Sequence, residues 1–389
     1  MSCVRNAARS FPITRFIHTS DWQLGMTRAF LTPEASARFS QARIDAIAKL
    51  GEIAAERDAA FIIVAGDVFE SNQVSRETLV RTLDALNALP VPVVLLPGNH
   101  DPLDGASIYS TPEFRKAADH VIVLRDREAI AVAEGVEVVG APWKTKHPST
   151  DLCAELAAGL EPASGGTVRI AVCHGQVDTL SPDTSRPEII NLAAAEQAIE
   201  EGKFHYLGLG DRHSVTEVGT TGRIWYSGAP VATDFDEVDP NKALLVELEP
   251  SSGDCTVEPV TVGDWHFVAE KFPLNGQEDL DRYSAWLDEL PAKQRTAIKV
   301  GFEGSINLAT AAALDDVFES KADLFASLRR RERTTDLAIV PDELDHDSVS
   351  LSGYAKQTYD ELLEQSTGGD AVAEDALRLL YRLSRQEAR

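Results

Sequence analysis

The opening of the chain alternates short apolar runs with segments whose apolar residues recur at helical spacing. The runs predict strands at 16–19, 61–65 and 92–96, and the spacing predicts helices over 35–57 and about 75–88. The run at 61–65 is wholly apolar, as in strands of a parallel sheet that are covered on both faces. Strands that alternate with helices in this way favour an α/β fold.

Residues up to 263 continue this pattern but become denser in strands than in helices. We therefore expect a second, mixed sheet packed on the first, within one domain over 16–263. The further elements predicted in this domain are strands at 121–124, 136–140, 168–173, 204–209, 222–226 and 243–248, and helices near 150–159 and 191–199.

The pattern changes beyond residue 263, and we expect residues 264–341 to form a smaller α+β domain of their own. Residues 1–15 are predicted to be a flexible leader, and 342–389 an acidic linker followed by helices. The elements predicted here are strands at 265–271, 296–302, 324–329 and 336–340, and helices at 280–290, 308–320, 352–365 and 371–386.

The composition is that of a globular protein, with 43% hydrophobic and 25% charged residues. The formal net charge of −25 argues against a surface that coats nucleic acid, because such binding needs many Lys and Arg contacts. A phosphate ligand would therefore have to be attracted locally, by metals or by a partner.

The chain also carries indications of its compartment. No apolar stretch approaches the roughly 18 residues that span a bilayer, and the N-terminal segment lacks the apolar core of a secretory signal. Scattered cysteines without a CxxC pair favour free thiols in a reducing cytoplasm; they are Cys3, Cys153, Cys173 and Cys255. We therefore expect a cytoplasmic protein that does not bind a membrane.

Residue types that bind metals follow five of the predicted strands of the first domain. The carboxyl ends of strands are the edge where ligands bind in open α/β sheets, so these side chains are expected to converge. Hard oxygen donors mixed with imidazoles suit a pair of divalent cations such as Mn²⁺, with Asp67 as the bridging carboxylate. The set comprises Asp21 with Gln23, Asp67, Asn99 with His100, His174, and Asp211 with His213.

Each of these segments has an ordinary structural explanation when it is taken alone. Gly66 followed by Asp67 is a common turn, and Asn99 suits an Asx-turn. A lone histidine such as His174 after an apolar run is more often a structural residue. The recurrence of ligand types at equivalent strand ends reverses that balance and predicts hydrolysis of a phosphoester. Within it, His100 can protonate the leaving oxygen, with Asp101 orienting the ring and raising its pKa.

Taken together, the motifs resemble the calcineurin-like metallophosphoesterase superfamily and look nearest to the SbcD-type DNA repair exonucleases. The strings that carry the resemblance are HTSDWQLG, AGDVF, LPGNHDP and YLGLGDRH, within about residues 15–265. It implies a four-layer α/β sandwich, with two mixed sheets flanked by helices, and a smaller α+β cap domain.

The resemblance also implies two metal sites that share Asp67. The general acid would be His100, and a water activated by the two cations would attack phosphorus. The first metal would take Asp21, Gln23, Asp67 and His213, and the second Asp67, Asn99, His174 and Asp211.

Two positions depart from the usual pattern, which has histidine where this chain has Gln23 and Asp211. Both changes exchange nitrogen for oxygen, so Mn²⁺ is favoured, with Mg²⁺ as the alternative, over Zn²⁺. Because Gln23 is neutral and a poorer ligand than imidazole, the first site is expected to be the weaker one.

The resemblance implies DNA as the substrate, an SbcC-type coiled-coil ATPase as a partner, and a homodimer. Arg212 is predicted to contact a substrate phosphate, and so is Tyr226 in WYSGAP, although a strand end with a turn also explains that string. The apolar face of the last helix either packs on the chain's own cap domain, which we favour, or docks the ATPase. That face carries Ala373, Leu377, Leu380 and Leu383.

Three functions remain open from the sequence. The leading hypothesis is a metal-dependent DNA nuclease of exonuclease type that works with an ATPase in DNA repair. The second is a phosphodiesterase that acts on a small, nucleotide-like substrate. The third is a catalytically weak scaffold subunit, in which the exchanges at Gln23 and Asp211 impair metal binding.

Overall fold

The structure is a computed structural model that describes residues 13–164, 166–249, 254–331, 333, 335–339, 353–368, 370, 372–373, 376–377 and 379–380. The chain forms two compact units. The first contains the described residues up to Arg28 together with Ser36–Trp265, and the second contains Ala29–Ala35 together with those from His266 onward.

The first unit alternates strands and helices along the chain. Its helices are α1 (Pro33–Glu56, which begins in the second unit), α2 (Arg76–Asn87), α3 (Leu152–Ala158) and α4 (Leu192–Glu200). Its strands are β1 (Thr14–Thr19), β2 (Ile62–Val64), β3 (Val93–Leu95), β4 (Val121–Val123), β5 (Ile130–Ala133), β6 (Val136–Gly140), β7 (Val168–His174), β8 (Tyr206–Gly210), β9 (Val215–Glu217), β10 (Ile224–Ser227), β11 (Lys242–Leu248) and β12 (Cys255–Thr261).

These strands form two six-stranded mixed sheets. The first has the order β12-β11-β1-β2-β3-β4, in which β1 to β4 run parallel and β11 and β12 are antiparallel. The second has the order β5-β6-β7-β8-β10-β9, with a parallel centre and antiparallel edge strands. Each sheet therefore presents the carboxyl ends of several parallel strands at one edge.

The two sheets pack face to face through a shared core. Phe16, Ile63 and Leu244 of the first sheet lie in one cluster with Ile170 and Tyr206 of the second. Each large apolar side chain buried in this way contributes about 1.5–3 kcal/mol relative to an exposed position. Strands β2 and β3 are wholly apolar and buried because both of their faces are covered, as predicted for the run at 61–65.

Helices cover the outer faces of both sheets. Leu50 of α1 and Leu83 of α2 belong to the cluster on the first sheet, and Leu156 of α3 and Ile199 of α4 belong to that on the second. The layers are therefore helix, sheet, sheet and helix, which confirms the predicted four-layer α/β sandwich.

The second unit contains a four-stranded sheet in which β14 pairs in parallel with each of the other strands. Its core includes Leu280, Tyr283, Ile298, Phe302 and Leu314. Its strands are β13 (His266–Pro273), β14 (Thr296–Ile306), β15 (Ser327–Arg330) and β16 (Asp336–Ile339), and its helices are α5 (Gln277–Glu289), α6 (Leu308–Lys321) and α7 (Tyr354–Thr367).

The predicted final helix is helical at residues 372–373, 376–377 and 379–380, and the rest of 371–386 lies outside the described residues. Ala373 and Leu377 are buried, and Leu377 lies in a cluster with Leu308 of α6 and Tyr359 of α7. This contact supports packing of the apolar face on the chain's own second unit. Leu383, the acidic linker and residues 1–12 also lie outside the described part.

Three strands of the first unit escaped prediction, namely β5, β9 and β12. All three lie at sheet edges, where side chains are partly exposed and the apolar pattern is weak. In the part of the chain that the structure describes, no helix has both the length and the apolar character needed to cross a bilayer.

Candidate metal centre

The predicted ligands lie at the carboxyl ends of β1, β2, β3, β7 and β8. His174 is the last residue of β7, and the others lie in the loops that follow their strands. The loops after β1 and β2 run side by side, because the amide of Asp21 donates to the carbonyl of Gly66 at 3.0 Å and that of Gln23 donates to the carbonyl of Asp67 at 2.8 Å. The amide of Asp211 donates to the carboxylate of Asp21 at 3.2 Å, which links the second sheet to the first.

Several of these residues adopt left-handed backbone. Asp21, Gln23, Asp67 and Asp211 have φ of 53°, 44°, 53° and 90°, and they are four of the eight non-glycine residues with positive φ in the described chain. Such conformations are uncommon for residues with a side chain and cluster at functional sites, where the surrounding structure maintains them. Here they turn the side chains out of the sheet edge towards one another.

Glycines allow the close approach of these loops. Gly66 has a φ of 96°, and a Cβ added there would lie 2.1 Å from Nδ1 of His174. A Cβ at Gly98 would lie 2.2 Å from Oδ1 of Asp67. The glycines that precede Asp67 and Asn99 are therefore required by space, and at Gly66 also by backbone conformation.

One side of the centre, which we call the His174 side, brings together Asp67, Asn99, His174 and Asp211. Nε2 of His174 lies 2.7 Å from Oδ1 of Asn99 and 3.4 Å from Oδ2 of Asp67. Oδ1 of Asp211 lies 3.9 Å from the same nitrogen. These atoms are close enough to share one cation, since coordination bonds measure about 2–2.6 Å.

The other side, which we call the His213 side, brings together Asp21, Gln23 and His213. Nε2 of His213 lies 3.7 Å from Oδ1 of Asp21 and 3.5 Å from Nε2 of Gln23. All the residues predicted as ligands are thus connected through distances below 4 Å, either directly or through the amide of Asp211.

Each histidine of the centre turns Nε2 inwards and holds Nδ1 against an acceptor. Nδ1 of His174 lies 2.8 Å from the carbonyl of Ala65, and Nδ1 of His100 lies 3.0 Å from the carbonyl of Glu70. An acceptor on Nδ1 places the ring proton there and leaves the lone pair of Nε2 for a metal, which is the usual outer contact of a metal-binding histidine.

The acceptor for His213 comes from residues that the sequence analysis did not single out. Nδ1 of His213 lies 3.0 Å from Oε1 of Glu237 and 2.6 Å from Oγ1 of Thr233. Glu237 belongs to the acidic run at 234–237, whose composition alone gives no indication that one carboxylate contacts the centre.

The pKa values of the buried histidines reflect the negative charge of the centre. Burial lowers the pKa of His18, which lies between the sheets, to about 3. Burial also acts to lower the pKa of His174, but the surrounding carboxylates, Asp67 above all, outweigh it and raise that pKa well above its ordinary value. The pKa of His213 is raised in spite of burial, chiefly by Glu237. The centre therefore attracts positive charge even at positions without solvent.

Three further observations suit a divalent cation. Oε1 of Gln23 is buried and has no hydrogen-bond partner. Nε2 of His174 and Oδ1 of Asn99 lie 2.7 Å apart, so both atoms could contact the same cation. Ligand atoms of the buried residues Asp21, Asp67 and His174 all lie within 4.8 Å of one another, so this group could hold a metal ion. The residues present therefore fit a metal centre.

Asp101 differs from its predicted role, because its carboxylate does not contact the ring of His100. Nδ1 of His100 instead donates to the carbonyl of Glu70. Burial raises the pKa of the Asp101 carboxyl group to about 6. Asp101 instead holds the loop after β3 to that after β2. Its carboxylate accepts from the amides of Gly98 (2.8 Å) and Phe69 (3.0 Å) and from the hydroxyl of Tyr109 (2.6 Å).

Tyr226 also differs from the prediction that it contacts a substrate phosphate. Its side chain is 1% exposed, and its hydroxyl donates to the carbonyl of Gly175 and accepts from the amide of Val177, both at 2.9 Å. These bonds fasten the loop after His174 to β10. The tyrosine is therefore a structural tie beneath the centre.

Arg212 lines a cavity of about 350 Å³ beside the centre, together with Asp211 and His213. Its Nε donates to Oγ1 of Thr216 at 2.8 Å, while its terminal nitrogens have no hydrogen-bond partner among the described residues. The guanidinium is therefore available to an anion next to the predicted ligands.

Residues 14–245 match the model of the calcineurin-like phosphoesterase family. The chain belongs to this family. The match covers the whole set of predicted ligands, and the family uses divalent metals, in agreement with the donor set of the centre.

Curated relatives are similar over most of the chain. The DNA double-strand break repair protein Mre11 of Haloferax volcanii is 23% identical over 381 residues, which cover 94% of this chain and 81% of that protein. The SbcD component of the SbcCD nuclease of Bacillus subtilis is 26% identical over 312 residues, which cover 71% of this chain and 75% of that protein. The protein of the same name from Rhodobacter capsulatus is 26% identical over 267 residues, which cover 58% of this chain and 64% of that protein.

Proposed function

We propose that the chain is a metal-dependent DNA nuclease, of exonuclease type, that acts in DNA repair. The observation that carries this proposal is the convergence of carboxylate, amide and imidazole donors around Asp67, with His100 beside them. The family membership supports phosphoester hydrolysis, and the names of the relatives support DNA as the substrate.

The donor set divides into two metal sites that share Asp67. The first would be held by Asp21, Gln23, Asp67 and His213, and the second by Asp67, Asn99, His174 and Asp211. Oxygen donors outnumber the imidazoles in both sets, which favours Mn²⁺, with Mg²⁺ as the alternative. When bound, such cations lower the pKa of water and neutralise charge on the phosphoryl oxygens.

His100 is placed to act as the general acid. Its Nε2 lies 3.9 Å from Oδ2 of Asp67, and its side chain is 35% exposed, so the ring reaches both the centre and the solvent. The carbonyl of Glu70 accepts from Nδ1, which orients Nε2 towards a leaving oxygen. Arg212, whose terminal nitrogens have no partner among the described residues, would hold a neighbouring phosphate of the strand.

Such a nuclease would work within an assembly that contains an SbcC-type coiled-coil ATPase. The net charge of −25 supports this arrangement, since the chain has little capacity to hold DNA by non-specific contacts and a partner would supply them. The packing of Leu377 within the second unit uses part of the apolar face that docking would need.

A second function, hydrolysis of a small nucleotide-like phosphodiester, is favoured by the rim of the centre. Asp234 and Asp236 are exposed and line the same cavity as Arg212. Acidic side chains beside the site would repel a long polyanion more than a small substrate.

The change His100→Ala tests the nuclease proposal. We expect the rate of Mn²⁺-dependent cleavage of linear duplex DNA to fall by about 10²–10⁴-fold, while Mn²⁺ binding is retained, because a general acid contributes that much to the rate. The matched control is His266→Ala, which removes an exposed histidine of the second unit. An unchanged rate in His100→Ala would refute the assigned role.

The substrate class is tested with wild-type protein on duplex DNA, single-stranded DNA and bis-p-nitrophenyl phosphate. Cleavage of the small ester without cleavage of either DNA would favour the small-molecule hydrolase. A calorimetric titration with Mn²⁺ decides the remaining hypothesis, since a chain that binds no Mn²⁺ would be a scaffold.

A further inference from the structure

The ring of His213 is held by side chains, whereas the rings of His174 and His100 are held by backbone carbonyls. Oε1 of Glu237 lies 3.0 Å from Nδ1 of His213, and the Glu237 side chain is only 6% exposed. A carboxylate only accepts hydrogen bonds, so the proton of the imidazole must sit on Nδ1 in this contact. Nε2 then carries the lone pair that faces Asp21 and Gln23.

Thr233 keeps the carboxylate of Glu237 in this orientation. The amide of Thr233 donates to both carboxylate oxygens, at 3.1 and 2.9 Å, and the threonine hydroxyl donates to Oε1. The carboxylate therefore accepts three hydrogen bonds from Thr233. Rotation of the Glu237 side chain away from His213 would leave its buried charge with fewer hydrogen-bond partners.

Two arginines tie this segment to the loop after β1. The carbonyl of Thr233 accepts from Nε of Arg28 at 2.9 Å and from its Nη2 at 2.6 Å. The buried Arg43 donates to the carbonyl of Trp22 at 2.6 Å and to that of Ala232 at 3.5 Å. The residues that orient Glu237 are thereby connected to the loop that supplies Asp21 and Gln23.

We propose that Glu237 is a positioning residue that holds His213 in the tautomer able to bind a metal at the His213 side of the centre. This inference rests on the proposed metal dependence. It matters most on this side, because Gln23 is a neutral ligand and the affinity of the site depends strongly on His213 and Asp21. A hydrogen-bonded carboxylate also makes the imidazole a stronger donor.

The near-isosteric change Glu237→Gln tests the proposal sharply. The amide of Thr233 remains a donor and lies closer to Oε2 of Glu237 (2.9 Å) than to Oε1 (3.1 Å). A glutamine that keeps its oxygen at the Oε2 position would place its NH₂ group at the Oε1 position, against Nδ1 of His213. Nδ1 would then accept, the ring proton would move to Nε2, and the ligand atom would be blocked without loss of shape. An Asp-to-Asn change next to a catalytic histidine inactivates serine proteases in the same way, through the wrong tautomer.

The first measurement is a calorimetric titration of purified protein with Mn²⁺. We expect one of the two sites in Glu237→Gln to bind about 10–100-fold more weakly than in wild type, with the other site retained. The matched control is Asp236→Asn, which removes the same charge from an exposed residue of the same cavity and should bind as wild type does. Equal affinities in Glu237→Gln and wild type would overturn the proposal.

The second measurement reports the tautomer directly and needs no metal, substrate or Glu237 variant. Long-range ¹H–¹⁵N spectra of ¹⁵N-histidine-labelled wild type are recorded at increasing alkaline pH until the two ring nitrogens of His213 show the separate shifts of a neutral imidazole, because the pKa of this ring is raised. The signals of His213 are identified by their loss in His213→Gln. A proton on Nδ1 supports the proposal, and a proton on Nε2 overturns it. Since neither measurement uses DNA, a chain that fails to cleave DNA leaves this inference standing.

Discussion

The two sides of the metal centre are built from similar ligand types but are supported in different ways. On the His174 side, the imidazole donates to the carbonyl of Ala65, and Gly66 leaves the space that the ring occupies. On the His213 side, the imidazole contacts the side chains of Glu237 and Thr233. One side therefore depends on backbone geometry, and the other on side-chain chemistry.

This difference has consequences for how each side responds to substitution. A carbonyl acceptor such as that of Ala65 cannot be removed by changing a side chain, so the His174 side is disturbed only through its glycines or its ligands. The His213 side can be tuned by conservative changes at Glu237, Thr233 or Gln23. Asp67 belongs to both proposed metal sites and should be the most sensitive position.

The change Asp67→Asn should have the largest effect, because it removes the one carboxylate that the two proposed metal sites share. In the wild-type chain, the amide of His100 donates to Oδ1 of Asp67 at 3.0 Å. The side-chain oxygen of asparagine can still accept this hydrogen bond, so the loop is expected to keep its conformation. We expect weaker Mn²⁺ binding at both sites and a loss of cleavage rate on the order of 10³-fold, equivalent to several kcal/mol of transition-state stabilisation.

The control for Asp67→Asn is Asp58→Asn. Asp58 is exposed and has a φ of 51°, close to the 53° of Asp67, so the same substitution is made in the same backbone conformation. Calorimetry and cleavage assays on both variants decide the matter. Loss of only one Mn²⁺ site in Asp67→Asn would show that the carboxylate is not shared.

The change Gly66→Ala should break the His174 side specifically. The new Cβ would lie 2.1 Å from Nδ1 of His174, at a φ of 96°, so the ring must leave the carbonyl of Ala65. We expect the free energy of unfolding to fall by about 2–4 kcal/mol and Mn²⁺ binding at one site to weaken by about 10²-fold.

Denaturant unfolding and calorimetry measure these two effects, and Gly202→Ala is the control. Gly202 also has a positive φ, of 69°, but an added Cβ there would meet nothing within 4 Å. The control should therefore lose about 1 kcal/mol from backbone strain and bind Mn²⁺ normally. If both variants bind Mn²⁺ equally well, the space at Gly66 does not matter to the ligand.

Much of this architecture was predictable from the sequence because strand ends and ligand types are local features. Asp67 directly follows an apolar run, and the parallel strands of a sheet bring such positions to one edge. The i, i+2 spacing of Asp211 and His213 likewise indicated that one short segment serves the centre. The edge strand β12 was missed because most of its side chains are not buried and it contains Pro259.

The contacts around the ligands could not be predicted because they depend on how distant loops fold back. Asp101 is adjacent to His100 in sequence, but its carboxylate turns inwards to the amides of Gly98 and Phe69. Glu237 lies among other acidic residues, and only the turn at Thr233 brings it to His213. Adjacency in the sequence therefore predicted the wrong partner for Asp101. The contact between Glu237 and His213 could not be predicted, because the two residues are distant in the sequence.

The change Gln23→His should have the smallest effect and the opposite sign, since it adds an imidazole to the weaker His213 side. The φ of 44° at Gln23 is compatible with histidine, which is enriched in left-handed backbone. We expect one Mn²⁺ site to bind about tenfold more tightly, which corresponds to about 1.4 kcal/mol, and Zn²⁺ to gain more than Mn²⁺.

Calorimetric titrations with both metals measure this gain in affinity. The comparison variant is Gln23→Ala, which removes the side-chain oxygen that would bind the metal. Oε1 of Gln23 is buried without a partner, so its removal should weaken the same site that histidine strengthens. If neither substitution changes either affinity, the carboxamide is not a ligand and the His213 side holds its metal through Asp21, Asp67 and His213 alone. In that case the support that Glu237 gives to His213 would carry still more of the affinity of this side.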